Sequence, residues 1–148
     1  MGGLTTALAL QQAGIRVSVY EQAPALGEVG AGLTLASNAS RILQHLGLGA
    51  VLEDLAVIPG RGAVKHYRTG RTLVDIPRGT TQLERFGAPY CQIHRHDLHQ
   101  ALVAAVLSAD RNCLHLGCKL EGFGQDAQSV TALFTNGRTA RGDLLIGC

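Results

Sequence analysis

A chain of 148 residues is enough for one domain, and a chain of that size buries roughly 70% of the surface it exposes when unfolded. With 46% hydrophobic and 16% charged residues it has the balance of an ordinary α/β protein and not of a disordered or collagen-like one. A net charge of +2 from scattered basic residues, few aromatics and no Trp argues against a nucleic-acid surface; no apolar run reaches the ~20 residues of a membrane span, and no basic leader follows Met1.

Residues 3–13 carry Leu4, Ala7, Leu8 and Gln11 on one face among Ala-rich neighbours, which predicts a helix, and Gly14 is placed to end it. The β-branched run 15–20 reads as a strand. Helix, glycine turn and strand in that order form the second half of a βαβ unit. Residues 23–37, with Pro24, Gly27, Gly30 and Gly32, read as loop. Ser37 or Asn38 then caps a helix whose core face holds Ile42, Leu43 and Leu46; Gly47 stops it, and a short helix follows with Leu48, Val51, Leu52 and Leu55.

Beyond the break at Pro59-Gly60, residues 64–68 and 71–76 form a hairpin around Thr69-Gly70. Residues 77–89 read as loop and 91–94 as a short strand. Asp97 caps a long helix with a buried stripe of Leu98, Ala101, Leu102, Ala105 and Val106. Strands follow at 114–116, 119–123 and 130–134, with Asn136-Gly137 as a two-residue hairpin turn. The wholly apolar Leu144, Leu145 and Ile146 predict a strand covered on both faces. There is no internal repeat and no linker.

Three features carry chemistry. Gly2-Gly3 opens the first helix, where free N–H groups and the helix dipole attract a pyrophosphate; alone, the pair reads equally as a flexible end. Glu21 stands just past a strand and 18 residues after Gly3, the place of a carboxylate that accepts hydrogen bonds from both hydroxyls of a nucleotide ribose. Taken without its neighbours it reads equally as a surface Glu ending an edge strand. Gly30-Ala31-Gly32 lets backbone lie against a flat ring or a polar chain, or is an ordinary glycine-rich loop.

Other constellations point nowhere specific. Cys91, Cys113, Cys118 and Cys148 form no CxxC pair and read as reduced thiols of a cytoplasmic protein. His94, His96 and His99 lie close in sequence, but no Cys or carboxylate set completes a tetrahedral metal site, and no GxSxG elbow accompanies the Ser, His and Asp residues.

Together, Gly2-Gly3-Leu4, Tyr20-Glu21-Gln22-Ala23, Gly27-Glu28-Val29-Gly30-Ala31-Gly32, Ser37-Asn38-Ala39 and His94-Arg95-His96-Asp97-Leu98-His99 resemble the flavoprotein aromatic hydroxylases, on the salicylate hydroxylase and 3-hydroxybenzoate 6-hydroxylase branch. Residues 139–147 resemble the run into that family's Asp-Gly motif. The resemblance covers essentially the whole chain. It implies an α/β fold: a partial Rossmann-like FAD-binding domain in three layers, its first strand missing, with part of a β-sheet substrate domain. Residues 1–148 would be the incomplete FAD-binding domain and 60–90 a hairpin-and-loop excursion belonging to the substrate-binding region. The family's leading fingerprint glycines would precede Met1, and its later Gly-Asp motif would follow residue 148.

The function implied is hydroxylation of a salicylate- or hydroxybenzoate-like ring by FAD, with NADH or NADPH as reductant and O₂ as oxidant. Carried over by residue, Gly2 and Gly3 face the FAD pyrophosphate, Glu21 holds the adenosine ribose and Gln22 sits beside the adenine. Ala31 and Gly32 line the ribityl and isoalloxazine end, Arg95 contacts the polar chain, and Leu120 packs near the adenine through its backbone. No residue is assigned as a catalytic acid or base. Two other readings stand beside this one: a partial FAD-binding module without activity, which binds FAD poorly and aggregates, and a nicotinamide-dependent dehydrogenase. The 30–32 and 95–98 segments argue against the dehydrogenase.

Overall fold

The computed structural model describes residues 1–27 and 30–148, so Glu28 and Val29 of the glycine-rich motif lie outside the described residues. The chain is mixed α/β and divides into two compact units, residues 1–28 with 102–148 and residues 29–101.

In the first unit, helix α1 (Gly2–Gln12) buries Leu4, Ala7 and Leu8, as the periodicity predicts. The chain reverses at Gly14, whose φ of 77° is a conformation glycine adopts without Cβ strain. Strand β1 (Val19–Tyr20) is shorter than the run 15–20 predicted. Its ladder extends only as far as its partner, the parallel β6 (Leu114–His115). A three-stranded antiparallel meander follows: β7 (Leu120–Gln125), β8 (Val130–Phe134) and β9 (Thr139–Gly142). Asn136-Gly137 makes the expected turn, with Gly137 at φ 80°. Cys118, Ala132 and Phe134 form a small core against which Tyr20 and Ala140 pack.

Leu144, Leu145 and Ile146 depart from expectation. They join no ladder among the described residues and are exposed by 75%, 38% and 46%. Composition marks a strand that is covered on both faces, but a strand exists only where a neighbour offers hydrogen bonds.

In the second unit, the stretch 23–37 read as loop contains β2 (Gly32–Leu35), antiparallel to β5 (Cys91–His94). Both expected caps, Ser37 and Asn38, lie inside helix α2 (Ser37–Leu43): Ala36 is the extended N-cap residue, without a side-chain cap, and Ser37 is already helical and buried. A π-type turn (Gln44–Leu48) with Gly47 at φ 86° leads into α3 (Gly49–Leu55). Leu43, Leu46, Leu48 and Leu52 are buried, but Ile42, expected on the core face, is 55% exposed.

The predicted hairpin forms as β3 (Arg61–Lys65) and β4 (Thr72–Pro77). Residues 77–89, also read as loop, contain helix α4 (Thr80–Phe86), closed by Gly87 in the left-handed conformation. It buries none of its side chains, so it has no apolar stripe for a sequence reading to find. Helix α5 (Arg95–Ala109) begins two residues before Asp97, which therefore lies in the first turn and is not its cap. Leu98, Leu102 and Val106 are at most 2% exposed, at three of the five positions predicted for the buried stripe.

Truncating Leu102, 1% exposed, leaves a cavity in the first unit. Leu102→Ala is expected to cost about 2–5 kcal/mol. Urea unfolding checks this through a lower midpoint at unchanged slope.

Candidate functional site

The first unit holds Gly2, Gly3, Glu21, Gln22 and Leu120. Helix α1 has Met1 as its N-cap residue, no side-chain cap and no acidic residue in its first turn. Its first helical bond runs from the Thr5 N–H to the Met1 carbonyl at 3.0 Å. The N–H groups of Gly2, Gly3 and Leu4 therefore have no intrahelical acceptor, as at any helix start. Cβ atoms built on Gly2 and Gly3 would lie 3.9 and 3.6 Å from the Cys148 Cβ, so the Cys148 side chain sits beside this helix start.

Glu21 directly follows β1. Its N–H donates to the His115 carbonyl at 2.9 Å, and its own carbonyl accepts from the Cys118 N–H at 2.8 Å. The carboxylate Oε1 accepts from the Ala23 N–H at 2.9 Å. Ala23 is tied back in turn, its carbonyl accepting from the Gly117 N–H at 2.9 Å. Residues 21–23 and 117–118 thus form a laced edge that leaves Oε2 without a partner among the described residues. Tyr20, pointing to the other side of the chain from Glu21, stacks on Phe134 at 4.6 Å and on His115 at 4.9 Å between ring centroids. Gln22 is exposed. Leu120 opens β7 two residues past Cys118 and is 46% exposed.

The second unit holds Ala31, Gly32 and Arg95. Gly32 pairs with His94, and the Arg95 N–H donates to the Ala31 carbonyl at 3.1 Å, so Arg95 leaves β5 directly opposite the glycine-rich segment. Ala31, Gly32 and Arg95 are all exposed.

Two further carboxylates are engaged elsewhere. Asp126 accepts from the Gln128 and Ser129 N–H groups, which hold its carboxyl below the usual range. The bidentate Arg61 likewise depresses Asp75 in an exposed pair, which is worth little to stability. Both are fixed as carboxylates near neutrality. The His94 and His96 rings meet edge-on at 6.5 Å, and the described residues contain no group of three or more His, Cys, Asp or Glu able to hold a metal. An open cavity of about 570 Å³ lies between the meander and residues 143–147. Of the sequence-assigned residues, Leu120 is the one in its lining.

A profile of the family described as FAD binding domain matches residues 1–148. The chain belongs to this FAD-binding monooxygenase family. It is 34% identical over its whole length to a 3-hydroxybenzoate 6-hydroxylase of Klebsiella oxytoca, and 33% identical over 99% of its length to a 6-hydroxynicotinate 3-monooxygenase of Pseudomonas fluorescens. In each case it spans 37% of the relative. Among solved structures, it is similar to Klebsiella pneumoniae HpxO with FAD and uric acid, at TM-score 0.78 and 31% identity, covering 97% of this chain and 35% of that one. A variant of HpxO with FAD matches at TM-score 0.83 and 29% identity, with the same coverage.

FAD is the cofactor of the FAD-binding family, and the donors and acceptors found here are of the kind it needs. Three amides without an intrahelical acceptor, with no acidic side chain in the first turn, suit a pyrophosphate. A carboxylate with one oxygen unused suits a ribose diol, and an exposed guanidinium suits a phosphate or another polar acceptor.

Sequence reasoning missed two contributors. Ala23 anchors the Glu21 carboxylate through its amide, and no sequence signal announces it, because two-residue returns of this kind are the habit of Asp and Asn and not of the longer Glu. Gly30 was read only as part of a glycine run, yet at φ 105° a Cβ built on it would lie 2.8 Å from Arg95 Cδ.

Cys91, Cys113 and Cys118 are buried, and burial pushes the Cys91 and Cys113 thiols up; Cys148 is exposed. Titration of the native protein with dithionitrobenzoate is expected to show one fast thiol, and unfolding in urea to release the other three of the four.

Proposed function

We propose that this chain is the FAD-holding part of a cytoplasmic flavin-dependent monooxygenase that hydroxylates an electron-rich aromatic ring of the salicylate or hydroxybenzoate type. The observation that carries the reading is Glu21, held at the end of β1 by two backbone hydrogen bonds with half of its carboxylate unused. The hydroxybenzoate and hydroxynicotinate named for the relatives share a hydroxylated six-membered ring, and this supports the substrate class. Four free thiols suit a reducing compartment.

In this reading Gly2 and Gly3 bring backbone N–H groups to the pyrophosphate, and no Cβ keeps the phosphate oxygens away. Glu21 accepts from the ribose hydroxyls, with Gln22 and the Leu120 backbone beside the adenine. Ala31 and Gly32 border the ribityl and ring end, and Arg95 meets the polar chain. Bound FAD supplies the redox chemistry: NADH or NADPH and a proton, with O₂ and the ring C–H, become NAD⁺ or NADP⁺, water and the ring C–OH. This chain's residues bind and orient; none of them is assigned a proton-transfer role.

The 148-residue chain by itself is proposed to hold FAD weakly and to lack hydroxylase activity. The exposure of Leu144, Leu145 and Ile146 supports this, as does β1, which among the described residues is paired along one edge only. FAD fluorescence titration is expected to give saturable binding with Kd of about 10–100 μM, weakened about tenfold in Glu21→Gln, which keeps the shape but loses the charge. Equal affinity of the two proteins overturns the role of Glu21. A wild-type chain with no saturable binding overturns the flavin reading.

A further inference from the structure

We propose that Gly30 is a positioning residue that sets the course of the Arg95 side chain toward the polar chain of bound FAD. The inference rests on the flavin reading above and deepens it. Gly30 has φ of 105°, where L side chains are rarely found. A Cβ built on it would lie 2.8 Å from Arg95 Cδ, 3.7 Å from Nε and 3.6 Å from Nη1. Arg95 Cδ therefore passes closer to Gly30 than a Cβ permits, with Nε and Nη1 at ordinary contact distance from the same position. One residue on, the Ala31 carbonyl accepts the Arg95 N–H at 3.1 Å. The segment 30–31 thus fixes both the backbone and the side chain of Arg95, and no described carboxylate pairs with the guanidinium.

Two reasons for a glycine compete here. The backbone conformation alone demands one, whatever Arg95 does. The close approach adds a second demand that acts only through Arg95, because the stem is flexible and a Cβ would turn it onto another course. A guanidinium on a long rotatable stem without this support loses more freedom when it meets an anion, and binding weakens. A double-mutant cycle separates the two reasons, because strain costs the same with or without Arg95 whereas steering vanishes once Arg95 is gone.

Equilibrium dialysis of FAD against the full 148-residue chain provides the test, with Gly30→Ala, Arg95→Ala and the double variant. Each single variant is expected to weaken FAD about tenfold, and the double to stay within about twofold of Arg95→Ala. Losses that multiply, to about a hundredfold in the double, overturn the inference while leaving the flavin reading intact. A wild type that takes up no FAD overturns both. Should Gly30→Ala fail to fold, the unliganded wild type still decides the matter: a nuclear Overhauser contact between Arg95 Hδ and Gly30 Hα is expected, and its absence overturns the inference.

Discussion

The account depends on the parallel pairing of two short strands. β1 and β6 share only Val19 with Leu114 and Tyr20 with His115. That ladder continues through the Glu21 N–H and the Cys118 N–H, so residue 21 is held on both its backbone groups. A carboxylate on a loop would sample many positions, and a ligand would have to order it at an entropic cost. Here the backbone is ordered by sheet formation and the side chain by the Ala23 amide. The stack of Tyr20 on Phe134 and His115 adds packing on the opposite side of the same chain.

The second unit solves a different problem with the same means. Its glycine-rich segment is the start of a strand, pinned against β5, and Arg95 emerges where β5 becomes α5. A strand-to-helix junction holds a side chain more firmly than a loop does, because both neighbours are hydrogen-bonded. Ser40 supports the unit from within: fully buried, it donates to the Pro89 carbonyl and so ties α2 to the segment before β5. Glu21, Arg95 and the Gly2-Gly3 pair, the residues proposed to meet the cofactor, thus come from strand ends and helix starts, where the backbone is ordered but its polar groups are still available.

Much of this was legible in the residues. α1, β5, α5 and the hairpins were marked by apolar periodicity and by glycines at their ends, and Glu21 by its spacing from Gly3. β2 was hidden because three of its four residues are not buried and it lies in a glycine-rich stretch. α4 was hidden because it buries nothing. Ile42 was misplaced because the buried face of α2 runs through Ser37, Ser40 and Leu43, two of them small polar residues that an apolar pattern does not mark. Leu144 to Ile146 have the composition of a strand, but composition cannot supply a pairing partner. Gly30 needed three-dimensional information, since its meaning comes from a side chain 65 positions later in the chain.

The family assignment rests on likeness over the whole chain, but the assignment of roles rests on where one carboxylate meets a nucleotide. A crystal structure of the chain soaked with FAD tests that most directly. The account predicts both adenosine ribose hydroxyls within about 2.6–3.2 Å of the Glu21 carboxylate, with the pyrophosphate against the Gly2 and Gly3 amides. A nucleotide seated elsewhere, with the Glu21 side chain turned to bulk water, would contradict it.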